Sequence, residues 1–175
     1  MRIIQLLPTM SFGDAVSNDA AAIRQTLLDM GHETAIYAAN IDPRLPEGSV
    51  THWRKMKEPR AGDLLIYHGS TGDPLNGMVP TLAGRKMMIY HNITPPQYFR
   101  GYSRAAQELT QAGYDQIKAL AGQFHYCVAD SDYNRQDLRK MGYECMIDVC
   151  PIMIPFEDYA KTPDPDVMAR YQGDG

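Results

Sequence analysis

Short apolar runs alternate with longer amphipathic stretches along the chain, and this alternation predicts its secondary structure. An apolar run without polar alternation is typical of a strand that is buried on both faces. The strands predicted in this way are Arg2 to Leu7, Thr34 to Ala39, Asp63 to His68, Lys86 to His91, Tyr126 to Ala129 and Met146 to Val149, with a short one near Val50 to Trp53.

Helical periodicity fills most of the stretches between these strands. From Val16 to Met30, apolar residues recur at spacings of 4, 3, 4 and 3 residues, and Gly31 then ends the helix. A second long helix is predicted from Ser103 to Gly122. Shorter helices are predicted at Asn76 to Leu82, Asp132 to Met141 and Asp166 to Tyr171.

Side-chain directions can be predicted for the second long helix. The spacing of Leu109, Ile117 and Leu120 places all three on its inward face. Gly113 lies in the middle of this helix, where glycine costs about 1 kcal/mol relative to alanine. We therefore expect Gly113 to weaken the helix.

The order of these elements predicts the fold class. Apolar strands separated by helices indicate an α/β fold in three layers: a Rossmann-like parallel sheet with helices on both faces. Ligands of such sheets bind in the crevice beyond the carboxyl ends of the strands. The loops that follow the strands are therefore the places to look for chemistry.

Length and charge exclude several classes of protein. A chain of 175 residues suffices for one domain with its own core. A formal charge of -4 gives no general basic surface for nucleic acid, and no apolar run approaches the ~20 residues that span a bilayer. Three cysteines at irregular spacing do not make a disulfide framework, so we expect a cytoplasmic protein.

Four loops should meet at the carboxyl edge of the sheet. The first, Met10 to Asp19, has Gly13 but no dinucleotide-binding glycine motif. Gly13 could admit a phosphate or a sugar, or the loop could be a plain turn in which Ser17, Asn18 or Asp19 caps the helix. The last loop, Asp130 to Asn134, fits a helix cap at Ser131 or Asp132 better than a metal site.

The two middle loops each begin at a histidine. His68 is followed by Gly69, Ser70, Thr71 and Gly72, a sequence that fits sugar or phosphate binding as well as a tight turn. His91 is followed by Asn92 and Thr94, ahead of two prolines. Because two strands end in histidine side by side, we expect His91 to be functional. No zinc, phosphate-loop or serine-hydrolase motif occurs, and we predict no metal site and no cofactor.

The order of these segments resembles a known family. The opening MRIIQLLPTMSFGDAVSNDAAAIRQTLLDMGHETAIYA is similar to that of family 4 glycosyltransferases. DLLIYHGSTG, MMIYHNITPPQYF, VADSDYNRQDLRKMGY and VCPIMIPFEDY resemble later landmarks of the same N-terminal domain. The resemblance implies one half of a GT-B architecture, in which two Rossmann-like domains face a cleft. It also implies transfer of a sugar from a nucleotide-sugar donor to an acceptor hydroxyl with retention and without a required metal.

The resemblance also implies roles for individual residues. His91 corresponds to the family's strand-end histidine near the transferred sugar, and we predict it to be catalytic. Gly13, with its neighbour Asp14, is predicted to lie at the donor phosphates. The residues predicted to bind the acceptor or the sugar are His68, Gly69, Thr71, Asn92, Thr94 and Ser131.

The family's C-terminal donor domain has no counterpart in this sequence. We expect residues 1–155 to form the acceptor-side domain, and residues 156–175 to be a linker toward that missing partner domain, so the chain alone should be inactive.

An alternative is a stand-alone sugar- or nucleotide-binding module without catalysis. A dinucleotide-dependent oxidoreductase is disfavoured, because the glycine motif and an acidic residue after the second strand are absent. A basic cluster near Trp53 (Arg54, Lys55, Lys57 and Arg60) either touches a membrane surface or is a solvated loop.

Overall fold

A computed structural model describes residues 1–154, 156 and 160–171, and shows seven parallel strands in one sheet. The strands are β1 (Arg2–Met10), β2 (Glu33–Ile41), β3 (Thr51–His52), β4 (Leu64–Gly69), β5 (Arg85–Tyr90), β6 (Tyr126–Ala129) and β7 (Met146–Val149). Their order across the sheet is β3-β2-β1-β4-β5-β6-β7. The chain therefore reverses its direction of travel between β1 and β4, which makes that pair the switch point of the sheet.

Helices connect the strands and cover the sheet. They are α1 (Ala15–Asp29), α2 (Pro74–Met78), α3 (Arg104–Ala119), α4 (Asp132–Lys140) and α5 (Pro165–Tyr171), with short 3₁₀ turns at Trp53–Lys55, Val79–Thr81 and Pro96–Phe99. None of the helices within residues 1–154 and 160–171 is long and apolar enough to cross a bilayer.

The two faces of the sheet pack against different helices, because successive side chains of a strand point to opposite faces. On one face, Ile3, Ile66 and Ile89 pack with Ile23 and Leu27 of α1. On the other face, the buried side chains of β1, β4, β5 and β6 pack against residues of α3 and α4. The three-layer α/β fold predicted from the sequence is confirmed.

β1 extends three residues beyond the predicted end at Leu7. The pairing of β1 with β4 stops at Leu6 and Tyr67, while its pairing with β2 continues to Met10. Pro8 lies in this last part, where β1 has a hydrogen-bonded neighbour on one side only, a position in which a missing N–H is tolerated. The gap between β1 and β4 opens at this point.

Two sequence predictions about helices are wrong. Leu109 of α3 is 59% exposed, whereas Ile117 is buried as predicted and Gly113, one turn earlier, is buried with it. The cap of α1 is Asp14, whose carboxylate accepts hydrogen bonds from the backbone N–H and the hydroxyl of Ser17. Ser17 and Asp19 are not caps, since both lie inside α1 and are buried.

The predicted tail is only partly described by the structure. The helix expected at Asp166 to Tyr171 is present as α5, and all of its residues are exposed. Residues 155, 157–159 and 172–175 lie outside the described residues, and with them the last position of the predicted domain and parts of the predicted linker.

Candidate functional site

A small cleft lies at the switch point, where β1 and β4 separate. Its volume is about 280 Å³. The residues that line it are Thr9, Ser11, Asp14, Val16, Ser70, His91 and Asn92. Six of these seven residues carry polar side chains, and the cleft lies where ligands of parallel sheets bind.

Beneath the cleft, four side chains form a continuous hydrogen-bonded chain. Gln5 Oε1 lies 3.0 Å from His68 Nε2, and His68 Nδ1 lies 2.9 Å from His91 Nε2. His91 Nδ1 lies 2.9 Å from Asp130 Oδ2. The two imidazole rings are nearly parallel, at 4°. We call this set the imidazole chain.

The pleat of the sheet explains why these four residues meet. Gln5 pairs with Ile66, and His68 is the next residue of β4 on the same face. His68 in turn pairs with Ile89, and His91 is the next residue on that face after β5. From β1 to β4 to β5, each member of the imidazole chain thus lies two residues closer to the carboxyl edge than the residue paired with the member before it. All of them lie on the face that α1 covers.

The far end of the chain fixes the orientation of Gln5. Its Nε2 donates to the backbone carbonyl of Ala20 in α1, at 3.0 Å. A carbonyl only accepts, so the other amide atom, Oε1, must accept from His68 Nε2–H. His68 is completely buried, and burial, together with the nearby His91, moves its pKa well below the usual value. It is therefore a neutral imidazole with its proton on Nε2.

A second buried carboxyl group faces the imidazole chain from α1. Asp19 Oδ1 accepts from the backbone N–H of Met153 at 2.9 Å. Burial raises the pKa of Asp19, although the Met153 hydrogen bond and His91 oppose this. Ligand atoms of Asp19, His68 and His91 lie within 4.8 Å of one another, which is the one grouping among the described residues that could be considered for a metal ion.

The histidines predicted from the sequence are brought together, but neither presents a free nitrogen to the cleft. His91 lines the cleft with its side chain 1% exposed, and both of its ring nitrogens are occupied by His68 and Asp130. His68 has no exposed surface. The ring nitrogens of both residues are therefore hydrogen-bonded to other side chains and are not available to a ligand in the cleft.

The remaining predicted binding residues fall into four groups. Asn92 lines the cleft, with a φ of 71° that only a few non-glycine residues adopt. Gly69 is buried, and a Cβ there would meet Met88 Sδ at 3.0 Å, so it serves packing. Thr71 and Thr94 do not line the cleft. Ser131 is the cap of α4, as one of the sequence interpretations held, and its hydroxyl accepts from the N–H of Asn134.

The loop predicted for the donor phosphates is open but carries the wrong charge for an anion. Gly13 is exposed, with a φ of +75° and nothing within 4 Å of a built Cβ. Asp14 lines the cleft, and its carboxylate occupies the N-terminus of α1, where a phosphate would otherwise be stabilised.

Three residues of the site were missed or given other roles by the sequence interpretation. Gln5 lies in an apolar strand, where a polar residue is itself the signal, because a buried amide needs partners. Asp130 was weighed only as part of a cap or a metal motif. Asp19 was considered only as a cap, although its place on the inner face of α1 follows from the apolar spacing around Ala20 and Ile23.

Comparisons with known proteins do not identify the chain. No protein-family model matches it, and no curated protein sequence matches it.

Proposed function

We propose that this chain is the acceptor-side, N-terminal domain of a retaining glycosyltransferase of GT-B architecture, which transfers a sugar from a nucleotide-sugar donor to an acceptor hydroxyl. The observation that carries the proposal is the cleft at the switch point, with its hydroxyl and amide lining above the imidazole chain. The motif order that resembles family 4 glycosyltransferases supports it further.

The lining of the cleft favours a sugar over a phosphate. Thr9, Ser11, Ser70 and Asn92 offer groups that both donate and accept, which suits a ligand rich in hydroxyl groups. Asp14 adds a carboxylate, which accepts hydrogen bonds from hydroxyls and repels phosphate oxygens. The sugar would therefore lie in this cleft, and the donor diphosphate would be held by groups of a second domain.

The role proposed for the carboxylates follows from the reaction. As the nucleoside diphosphate leaves, positive charge develops on the sugar ring. Negative side chains near the ring stabilise that charge only if they are held in place beforehand. Asp14 is held as the cap of α1, and Asp130 by His91. Within this proposal, His91 is required for turnover because it holds Asp130 and closes the floor of the cleft.

A binding experiment on the chain tests the sugar site. The ¹⁵N-labelled chain is titrated with a panel of monosaccharides and disaccharides and, separately, with UDP and GDP. We expect saturable shifts of the Ser11, Ser70 and Asn92 amides with at least one sugar. Ser70→Ala should weaken that response, whereas Thr81→Ala, in the turn before β5, should leave it unchanged. Shifts with the nucleotides alone would contradict the sugar assignment.

A turnover experiment tests the catalytic part. The product of the whole coding sequence is assayed for release of nucleoside diphosphate from nucleotide-sugars. His91→Ala should lower turnover by at least about 10-fold, as loss of a positioned electrostatic group does. Unchanged turnover would remove His91 from the reaction. Sugar binding without any transfer would favour the alternative, a binding module without catalysis.

A further inference from the structure

With Asp130 ionised, the imidazole chain contains more hydrogen bonds than neutral Gln5, His68 and His91 can supply with protons. From Ala20 to Asp130 there are four contacts, namely Ala20 O with Gln5, Gln5 with His68, His68 with His91, and His91 with Asp130. Each contact needs one proton between its two heavy atoms. We propose that this chain binds one proton beyond those of its neutral groups, and that His91 is thereby held as an imidazolium beneath the cleft.

The contact with Ala20 fixes the amide of Gln5, so the protons can be assigned from that residue onward. Gln5 supplies one N–H to the carbonyl of Ala20 and accepts with Oε1, so His68 must place its single proton on Nε2. His68 Nδ1 is then a bare lone pair, and His91 must donate to it from Nε2. The three N–H groups of neutral Gln5, His68 and His91 that can lie in these contacts have now been used. The fourth contact, His91 Nδ1 with the carboxylate of Asp130, requires one more.

No rearrangement of tautomers or amide orientation removes this requirement. If His91 kept a proton on Nδ1 alone, two lone pairs would face each other between the imidazoles. If His68 then moved its proton to Nδ1, its Nε2 lone pair would face Gln5 Oε1. If Gln5 turned its amide over, its Oε1 would face the carbonyl of Ala20. Each change moves the unmatched contact by one step, and an unmatched contact between buried polar atoms is unfavourable.

A metal ion between the imidazoles does not fit the distances as well as a proton does. Two nitrogens on a tetrahedral zinc, at about 2.0–2.1 Å from it, would stand about 3.3 Å apart. His68 Nδ1 and His91 Nε2 are 2.9 Å apart, the usual separation of an N–H hydrogen bond.

Carboxyl groups of three residues lie around His91. Asp130 faces it from the end of β6, Asp19 from α1, and Asp14 lines the same cleft. His68, on β4, is neutral, and Gln5, on β1, is uncharged. The titratable neighbours named here are therefore carboxyl groups and the neutral His68.

This assignment gives Gln5 and His68 a role in determining the protonation of His91. Gln5 and His68 do not touch the cleft, yet they determine which nitrogens of His91 carry protons, so they are positioning residues for His91 and, through it, for Asp130. Their importance for catalysis rests on the proposed function, whereas the proton count stands without it.

Nitrogen NMR of the histidine side chains tests the count directly. In the ¹⁵N-labelled chain, we expect N–H signals from both nitrogens of His91, one N–H signal from His68 Nε2 and a non-protonated Nδ1 on His68. Signals are assigned with the other three histidines replaced by glutamine (His32, His52 and His125), none of which takes part in the imidazole chain.

A variant of Gln5 provides the sharper test. In Gln5→Met, His68 Nε2 has no acceptor, so only two contacts remain and the two neutral imidazoles supply both protons. We expect the proton of His68 to move to Nδ1 and one of the two His91 N–H signals to be lost. His32→Gln, the matched control, should leave both patterns unchanged.

Several outcomes would overturn the assignment. They are a wild-type His68 protonated on Nδ1, a single N–H on His91, or one equivalent of zinc that copurifies with the chain and is bound by these nitrogens. If Gln5→Met does not fold, the wild-type spectrum alone decides. Failure of sugar titrations with this spectrum intact would refute the proposed function and leave the proton assignment standing.

Discussion

Gly113 lies in the middle of α3, where glycine is locally unfavourable, and its position is explained by a close contact. A Cβ built on Gly113 would lie 2.7 Å from the backbone nitrogen of Gly72 and 3.2 Å from its Cα. A Cβ on Gly72 would in turn lie 2.9 Å from Gly113 Cα. The two glycines therefore let α3 touch the loop after β4, beside the hydrogen bonds that Gln116 Oε1 accepts from Asp73 and Asn76.

Replacement of Gly113 by alanine separates these two effects. The helix should gain about 1 kcal/mol in propensity, but the overlap with the Gly72 backbone should cost about 1–3 kcal/mol, so we expect a net loss of stability. Gly77→Ala, in α2 with nothing within 4 Å of its Cβ, is the control and should be neutral or stabilising. Urea denaturation of both variants measures the difference, and a more stable Gly113→Ala would contradict the close contact.

Contacts between residues that are far apart in the sequence limit what can be predicted for a single residue. Gly113 was expected to weaken its helix, because intrinsic propensity is visible in a sequence and the approach of Gly72 is not. The role of His91 was expected from its place at a strand end. The two nitrogens of His91 are occupied by His68 and Asp130, which are 23 and 39 positions away, and no local pattern predicts such contacts.

At the scale of elements, a salt bridge joins the amino ends of two neighbouring strands. Arg2 at the start of β1 lies 2.7 Å from Asp63, the residue before β4. The same carboxylate oxygen accepts from the backbone N–H of Arg60 at 2.9 Å. The Arg60 N–H and the Arg2 guanidinium lower the pKa of Asp63, although burial opposes them.

The lowered pKa gives the Asp63 carboxylate a stabilising effect that depends on pH. The surroundings of Asp63 in the native state stabilise its ionised form relative to the unfolded state. The carboxylate therefore stabilises the fold above the unfolded pKa of 3.8. This stabilisation is lost as the pH falls through the folded value. Urea denaturation should therefore show a higher free energy of unfolding for the wild type than for Asp63→Asn at neutral pH. This difference should disappear on acidification. Asp29→Asn, on the exposed end of α1, is the control, and a difference independent of pH would contradict this origin.

The elements themselves were largely predictable, because apolar runs and periodic spacing record burial. Six of the seven strands lie where such runs occur, and β3 lies within Val50 to Trp53, where a short strand is predicted. Ser131, before a helical stretch, is a predicted cap of α4 and is its cap. The errors arose where local rules compete. Leu109 fits the helical spacing, yet α3 turns Gly113 toward the core, and Asp14 takes the cap of α1 that three later polar residues could equally have taken.

At the scale of the whole molecule, the parallel sheet explains why the site could be located before its contacts were known. Carboxyl ends of parallel strands converge on one edge, so the loops after β1, β4, β5 and β6 had to meet there. The composition of the cleft could not be read in the same way. Thr9 belongs to it only because β1 continues past Pro8, and its one carboxylate comes from Asp14, the cap of α1.

The same sheet gives a chemical probe of global unfolding. Cys127 lies in β6 and is completely buried, whereas Cys150 is exposed just after β7. Burial and, secondarily, the neighbouring Cys145 raise the pKa of the Cys127 thiol. Only a thiolate reacts with an alkylating reagent, so Cys127 is protected by both its location and its protonation.

Thiol labelling followed by mass spectrometry of peptides should therefore show two separate rates. Cys150 should be modified in the native state at a rate that hardly depends on urea. Cys127 should be modified only through opening of the sheet, so its rate should rise with urea along the slope of the global unfolding transition. Labelling of Cys127 at a rate independent of urea would show instead that β6 and β7 separate locally. The edge of the sheet beside Asp130 would then be mobile on its own, and the imidazole chain would be held by β1, β4 and β5 alone.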